Sequence, residues 1–99
     1  MSRRRLTDTE IDTRMETLPG FSNEGGRLVR EFHFGTFVEA FAWMTSVALV
    51  AERMNHHPDW KNVYNRVAVE LHTHDAGGVT DLDFDLAGHM NELAAKLGR

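Results

Sequence analysis

The chain has 99 residues, no cysteine, and a formal net charge of −4, with 41% apolar and 26% charged residues. That length holds a single domain of ordinary globular composition, and a cysteine-free sequence excludes disulfide scaffolds, iron–sulfur clusters and thiolate nucleophiles. The acidic balance argues against a nucleic-acid binder. With no apolar run long enough to span a membrane or act as a secretory signal, a soluble cytoplasmic protein with no membrane partner is expected.

Residues 1–6 read as a loose, solvated arm, with Arg3, Arg4 and Arg5 too few to form a polybasic motif, and one domain follows over 7–99. Thr7-Asp8-Thr9-Glu10 is a capping box that opens a first helix. It should run to about Thr17 and stop before Pro19-Gly20. Phe21–Asn23 and Arg27–Phe34 then read as a hairpin around Glu24-Gly25-Gly26. In its second strand Leu28, Arg30, Phe32 and Phe34 share one face, and Val29, Glu31 and His33 take the other.

Thr36-Phe37-Val38-Glu39 predicts the start of a second helix, ending near Asn55 because His57 precedes a proline. Phe37, Phe41, Met44, Ala48 and Ala51 recur at helical spacing, and Val38, Ala42 and Leu49 widen the stripe. It is expected to be core. A second strand pair follows, Trp60–Tyr64 and Val67–His74, turning at Asn65-Arg66. Val67, Val69, Leu71 and Thr73 alternate there against Ala68, Glu70, His72 and His74. The run Asp75-Ala76-Gly77-Gly78 ends the strand. The third capping box, Thr80-Asp81-Leu82-Asp83, opens a helix to about Leu97 with Leu82, Leu86, His89/Met90, Leu93 and Leu97 on one stripe. The order α-β-β-α-β-β-α predicts an α+β fold of antiparallel hairpins with helices packed on one face.

Chemistry points to the six histidines. His56-His57-Pro58 stands where a long helix breaks into a loop, and His74 stands before a glycine-rich turn. Loops held by rigid elements commonly carry function. Taken singly, each histidine is an ordinary polar residue. Together they admit two active readings. One is a metal site in which His72 and His74, at i and i+2, join His56 or His57. The adjacent pair would aim poorly at one ion, however, and no His-Glu-x-x-His helix is present. The other is metal-free acid–base catalysis, since imidazole titrates near neutrality.

The stretch Glu52-Arg53-Met54-Asn55-His56-His57-Pro58, then Tyr64, His74 and Asp83, resembles the signature of the pterin-4a-carbinolamine dehydratase family. That signature reads Glu-x3-His-His-Pro, five residues, an aromatic, nine residues, His, eight residues, Asp, and every spacing is met. The likeness extends to Phe32-His33-Phe34, to Phe41-x-x-Met44-Thr45 with Val47-Ala48-Leu49, and to Leu86-Ala87, covering roughly residues 20–97. His72 lies outside the signature. The residue before the histidine pair is Asn55, where relatives often carry Asp. Leu82 stands where some have a basic residue, and Phe21 where Trp is common.

The resemblance implies a four-stranded antiparallel sheet backed by helices, and dehydration of 4a-hydroxytetrahydropterin to quinonoid dihydropterin and water. It implies His56, His57 and His74 as catalytic residues, with His56 and His74 as acids and His57 holding the pterin. Glu52, Pro58, Thr73 and Asp83 are implied in support. No metal or organic cofactor is expected. The implied partners are the pterin substrate, a homodimer or homotetramer, and a functional link to an aromatic amino acid hydroxylase. The alternative is a non-catalytic interaction protein on the same fold, either a dimerisation cofactor of a transcription factor or an assembly chaperone.

Overall fold

Three threonines start the three helices, each by the hydrogen bond its sequence neighbourhood predicts. In the computed structural model, which describes residues 3–99, α1 (Asp8–Met15) is capped by Thr7, whose hydroxyl accepts from the Glu10 N–H at 3.1 Å. The Glu10 carboxylate returns the bond to the Thr7 N–H at 2.8 Å. Strands β1 (Ser22–Asn23) and β2 (Leu28–His33) form the first hairpin. α2 (Phe37–Met54) is capped by Thr36, but here the box is only half made. Glu39 reaches one residue further back, to the Gly35 N–H, and also takes Arg99. β3 (Asp59–Val63), β4 (Arg66–Leu71), a 3₁₀ turn (His74–Ala76) and α3 (Asp81–Ala95) complete the chain.

The sheet order is β1-β2-β4-β3, antiparallel throughout. This gives the α-β-β-α-β-β-α arrangement of an α+β fold. Register alignment of Leu28 with Leu71, Arg30 with Val69 and Phe32 with Val67 puts the apolar residues of the two central strands on one face. Leu28, Phe32, Val67, Val69 and Leu71 are buried there, whereas Glu31, His33, Ala68 and Glu70 are exposed on the other. Phe32 and Phe34 pack on Trp43 of α2, with ring centroids 4.4 and 5.2 Å away, and the indole N–H donates to the Met90 carbonyl of α3. One aromatic side chain therefore ties both long helices to the sheet, and burial of a side chain that size stabilises by about 3 kcal/mol.

The face of α2 differs from the expectation. Ala40, Trp43, Val47, Val50 and Ala51 are buried, while Phe37, Val38, Phe41, Ala48 and Leu49 are exposed and Met44 is only partly covered. The helix is apolar nearly all round, so two stripes compete at helical spacing. The one carrying Trp43 won because only a large ring fills the space between β2 and α3. Two smaller corrections follow from backbone geometry. The β3–β4 turn is Tyr64-Asn65 rather than Asn65-Arg66, with Tyr64 at φ 51°. β4 stops at Leu71, so His74 opens the 3₁₀ turn instead of ending the strand, although Thr73 still bridges to Gly78. In α3 the stripe holds through Leu82, Leu86 and Met90, but Leu97 lies past the helix end and is exposed.

Of the segment expected to be a loose arm, Met1 and Ser2 lie outside the described residues. Arg3 pairs with Asp75 and Arg4 with Glu10, both at the surface. Leu6 is buried, and its N–H donates to the Val79 carbonyl at 2.8 Å. Among the described residues, no helix is long and apolar enough to cross a membrane.

Candidate active site

The site begins where α2 stops. Asn55 takes the left-handed conformation at φ 51°, and its N–H returns to the Ala51 and Glu52 carbonyls. Asn tolerates this region better than most side chains, and the His56 N–H also folds back on Ala51, at 3.0 Å. The reversal sends His56 inward and leaves His57 outside, since His56 is buried and His57 exposed. Pro58 then commits the chain to β3.

The two acids each take one histidine. Glu52 Oε1 lies 2.8 Å from His57 Nε2 in an exposed pair. Asp83 Oδ1 lies 2.6 Å from His56 Nε2, with the carboxylate fully buried. Asp83 is also the third residue of α3, and its Oδ2 closes the capping box by accepting the Thr80 N–H at 2.9 Å. The helix cap therefore sets the side chain that holds His56. Oδ2 also accepts from the Thr73 hydroxyl at 2.9 Å. Because Thr73 spends its one proton there, Thr80 must donate in the 2.7 Å contact between the two hydroxyls. The Leu82 N–H in turn donates to Thr80 Oγ1.

This proton order has a consequence for His56. With all three partners donating to Asp83, the imidazole carries its hydrogen on Nε2. Nδ1 makes no hydrogen bond, and among the described residues no fully buried side-chain nitrogen or oxygen lacks a partner. Nδ1 is therefore the nitrogen that reaches solvent, as an acceptor or a protonatable base.

His74 joins the group through the chain. It follows Thr73, which is anchored to Asp83, and it opens the 3₁₀ turn that left-handed Gly77 (φ 73°) closes by donating to its carbonyl. Its side chain is exposed, and its ring lies 5.9 Å from that of His72. Asp75 beside it is held below the usual carboxylate range, chiefly by a hydrogen bond from Arg3 and then by its own backbone N–H. The structure thus links His56, Thr73 and Asp83 directly, with His57 and His74 each one residue from a member of that network. No direct bond connects His74 to either histidine of the pair. Tyr64, the aromatic of the signature, sits at the far end of β4. Pro58 is half-buried and Glu52 exposed.

The metal alternative finds no support in the arrangement. Among the described residues no three His, Asp or Glu side chains gather so as to hold one ion. The histidines also do not line the cavity of about 450 Å³ formed by Arg14, Leu18, Asp81 and Phe84 between α1 and α3. The residue that sequence reasoning left out of the network is Thr80. Its capping box was legible, but its hydroxyl bond to Thr73 joins segments that only the fold brings together.

A small α+β domain with a capped aspartate clamping one histidine of a His-His-Pro turn is the framework these observations define. The sequence model of the Pterin 4 alpha carbinolamine dehydratase family matches residues 4–93, and the chain belongs to that family. A Synechococcus protein with a provisional pterin-4-alpha-carbinolamine dehydratase name is 54% identical over 88 residues, 89% of this chain and 95% of that one. A Rhizobium johnstonii protein with the same provisional name is 48% identical over 98 residues and 97% of each chain. The crystal structure of a transcriptional coactivator/pterin dehydratase from Brucella melitensis superposes with TM-score 0.90 at 42% identity, covering 92% of this chain and 99% of that one. A pterin dehydratase-like protein identified as a RuBisCO assembly factor in the alpha-carboxysome shares the fold alone, at TM-score 0.61 and 20% identity over 75% of this chain and 86% of that one.

Proposed function

We propose that this chain dehydrates 4a-hydroxytetrahydropterin to quinonoid dihydropterin and water by histidine acid–base catalysis, supporting tetrahydropterin recycling beside an aromatic amino acid hydroxylase. The observation that carries the reading is the His56–Asp83 bond. A buried carboxylate fixes the tautomer of His56 and leaves Nδ1 as the solvent-facing nitrogen, next to His57 and one network step from His74. In the reaction the C4a–O bond breaks, the N5 lone pair forms the C4a=N5 bond, and N5 gives up its proton. The protein must donate one proton to the departing oxygen and accept one from N5. Imidazoles do both near neutral pH, so the proton count closes without another group. In this reading His56 and His74 handle the protons, and His57, oriented by exposed Glu52, holds the pterin. Thr73 and Asp83 keep the pocket edge in register, and Pro58 fixes the turn. A stopped-flow assay on freshly generated 4a-carbinolamine tests this, with acceleration over the spontaneous reaction expected. Its absence would reject the activity.

A second reading concerns partners and rests on α2. The helix carries no charged residue from Ala40 to Ala51, although Phe41, Ala42, Thr45, Ala48 and Leu49 are exposed. An uncovered apolar face of this kind marks an interface, and a domain this small gains from burying it. The occupant that fits is a second copy. About a two-fold axis through Thr45, antiparallel packing would set Phe41 against the partner's Leu49 and Ala42 against the partner's Ala48, with small residues at the centre of the crossing. Homodimers or homotetramers are the expected state.

A further inference from the structure

Neither the core nor the proposed reaction uses the three arginines near the N-terminus, yet two of them end on the loop that carries His74. Arg4 turns back to Glu10 of the α1 capping box, at 2.8 Å. Arg3 instead reaches Asp75, the residue after His74, with one guanidinium nitrogen 3.2 and 3.4 Å from the two carboxylate oxygens. Asp75 also interacts electrostatically with His74. Arg5 lies so close along Gly78 that a Cβ there would stand 3.1 Å from its Nε and 3.3 Å from its Cγ and Cδ. Leu6 is buried, and its N–H donates to the Val79 carbonyl at 2.8 Å. Residues 3–6 therefore meet the loop at its tip, along its return and at its base.

We propose that this segment is a strap that places His74, with Arg3, Arg5 and Leu6 as positioning residues that act through the turn and touch no reacting atom. The loop needs such a hold. It consists of one 3₁₀ turn of three residues followed by Gly77 and Gly78, and glycine is the residue type with the most conformational freedom to lose. Its internal ties are short-range: the Ala76 and Gly78 N–H groups donate to the Thr73 carbonyl, the Gly77 N–H to that of His74, and the Thr73 N–H to that of Gly78. Among the described residues the exposed His74 ring has no hydrogen-bond partner, so the backbone of the turn sets its place. Displacing a catalytic group by about 1 Å can cost about 10²-fold in rate. An exposed ion pair is weak by itself, but buried Leu6 and the α1 cap anchor the strap, so Arg3 and Arg5 close on the loop from a fixed base. The rate arm of this inference rests on the dehydratase reading above, whereas the mobility arm does not.

The test compares the full wild-type chain with an Arg3→Ala/Arg5→Ala double variant, which keeps Leu6 and the capping box, and with Arg3→Lys. By nitrogen-15 relaxation, the backbone order parameters of residues 74–78 should be about 0.85 in wild type and fall towards about 0.6 in the double variant. In the dehydration assay the double variant should lose about two- to fivefold in kcat, with KM and melting temperature near wild type. Arg3→Lys keeps a cation for Asp75 and should keep the wild-type rate. Order parameters unchanged in the double variant would overturn the strap. A wild-type kcat on a loosened turn would overturn the positioning role. So would a pH profile that shifts without a lower maximum, since that marks only the lost positive charge near His74. A wild-type chain that fails to dehydrate the carbinolamine would instead overturn the dehydratase reading, and the order parameters would still judge the strap.

Discussion

Asp83 shows how one side chain holds a helix start and an imidazole together. Its Oδ2 completes a helix cap and its Oδ1 orients an imidazole, so the geometry of His56 inherits the rigidity of the start of α3. If His56 and His74 handle protons, alanine at either should slow dehydration by about 10²–10⁴-fold, the usual worth of a positioned acid or base. Circular dichroism should remain native. The double variant should fall short of the summed losses, because the two act on one substrate. His57→Ala should raise KM more than it lowers kcat. Folded single variants at His56 and His74 that both keep wild-type rates would remove them from the site. A second residue-scale expectation concerns acid stability. Glu10 is lowered to about 2, first by the hydrogen bond from Arg4 and then by the Thr7 N–H. A depressed folded-state value means that the stabilising contribution is present above the unfolded carboxylate range and is lost as pH falls towards 2. Glu10→Gln should therefore flatten stability against pH between about 4.5 and 2, as read from urea midpoints. At this exposed position the size of the effect is limited by solvent screening.

At the scale of elements, the informative features are a turn and a helix face. Tyr64 occupies the first position of a two-residue hairpin turn at φ 51°, where glycine is the residue without strain. Its side chain is exposed, so little burial compensates. Tyr64→Gly should raise the melting temperature by a few degrees, the strain relieved being about 1 kcal/mol. An unchanged or lower value would show that the tyrosine ring makes contacts in solution that offset its backbone. The exposed stripe of α2 poses the opposite case, apolar surface with no cover in the single chain. Phe41→Glu puts a charge into that stripe, opposite the partner's Leu49, while leaving the buried Trp43 and the core in place. It should convert an oligomer to a monomer by light scattering while far-ultraviolet circular dichroism stays native. A wild-type monomer at micromolar concentration would reject the interface.

For the whole molecule, the domain exposes His57 and His74 at its surface and buries His56 against Asp83 at the start of α3. Every proton the proposed reaction moves has an imidazole to carry it. The prediction at this scale is that turnover survives exhaustive chelation and is not raised by added zinc, as measured by initial rates with metal content checked by mass spectrometry. Activity lost to chelator and restored by metal would contradict acid–base catalysis by histidine alone.

The sequence by itself determined the helix starts, the element order and the inward face of each central strand. Those signals are local: a Thr followed three residues later by an acid, or an alternation of period two, acts within one element. It also placed His56 and His57 where α2 breaks into a loop, through Pro58, whereas His74 read as a strand end and only the fold put it in a turn. Tertiary structure alone decided which stripe of α2 is core. Both stripes have helical spacing, and only the gap between β2 and α3, filled by Trp43, distinguishes them. It also decided the pairing of acids with histidines. Glu52 and His57 are five residues apart, but Asp83 and His56 are separated by 27. The Thr73–Thr80 contact that fixes the direction of the protons exists only because the loop after β4 folds back on the cap of α3. Which imidazole nitrogen faces the solvent follows from that closure and from nothing within reach of a local pattern.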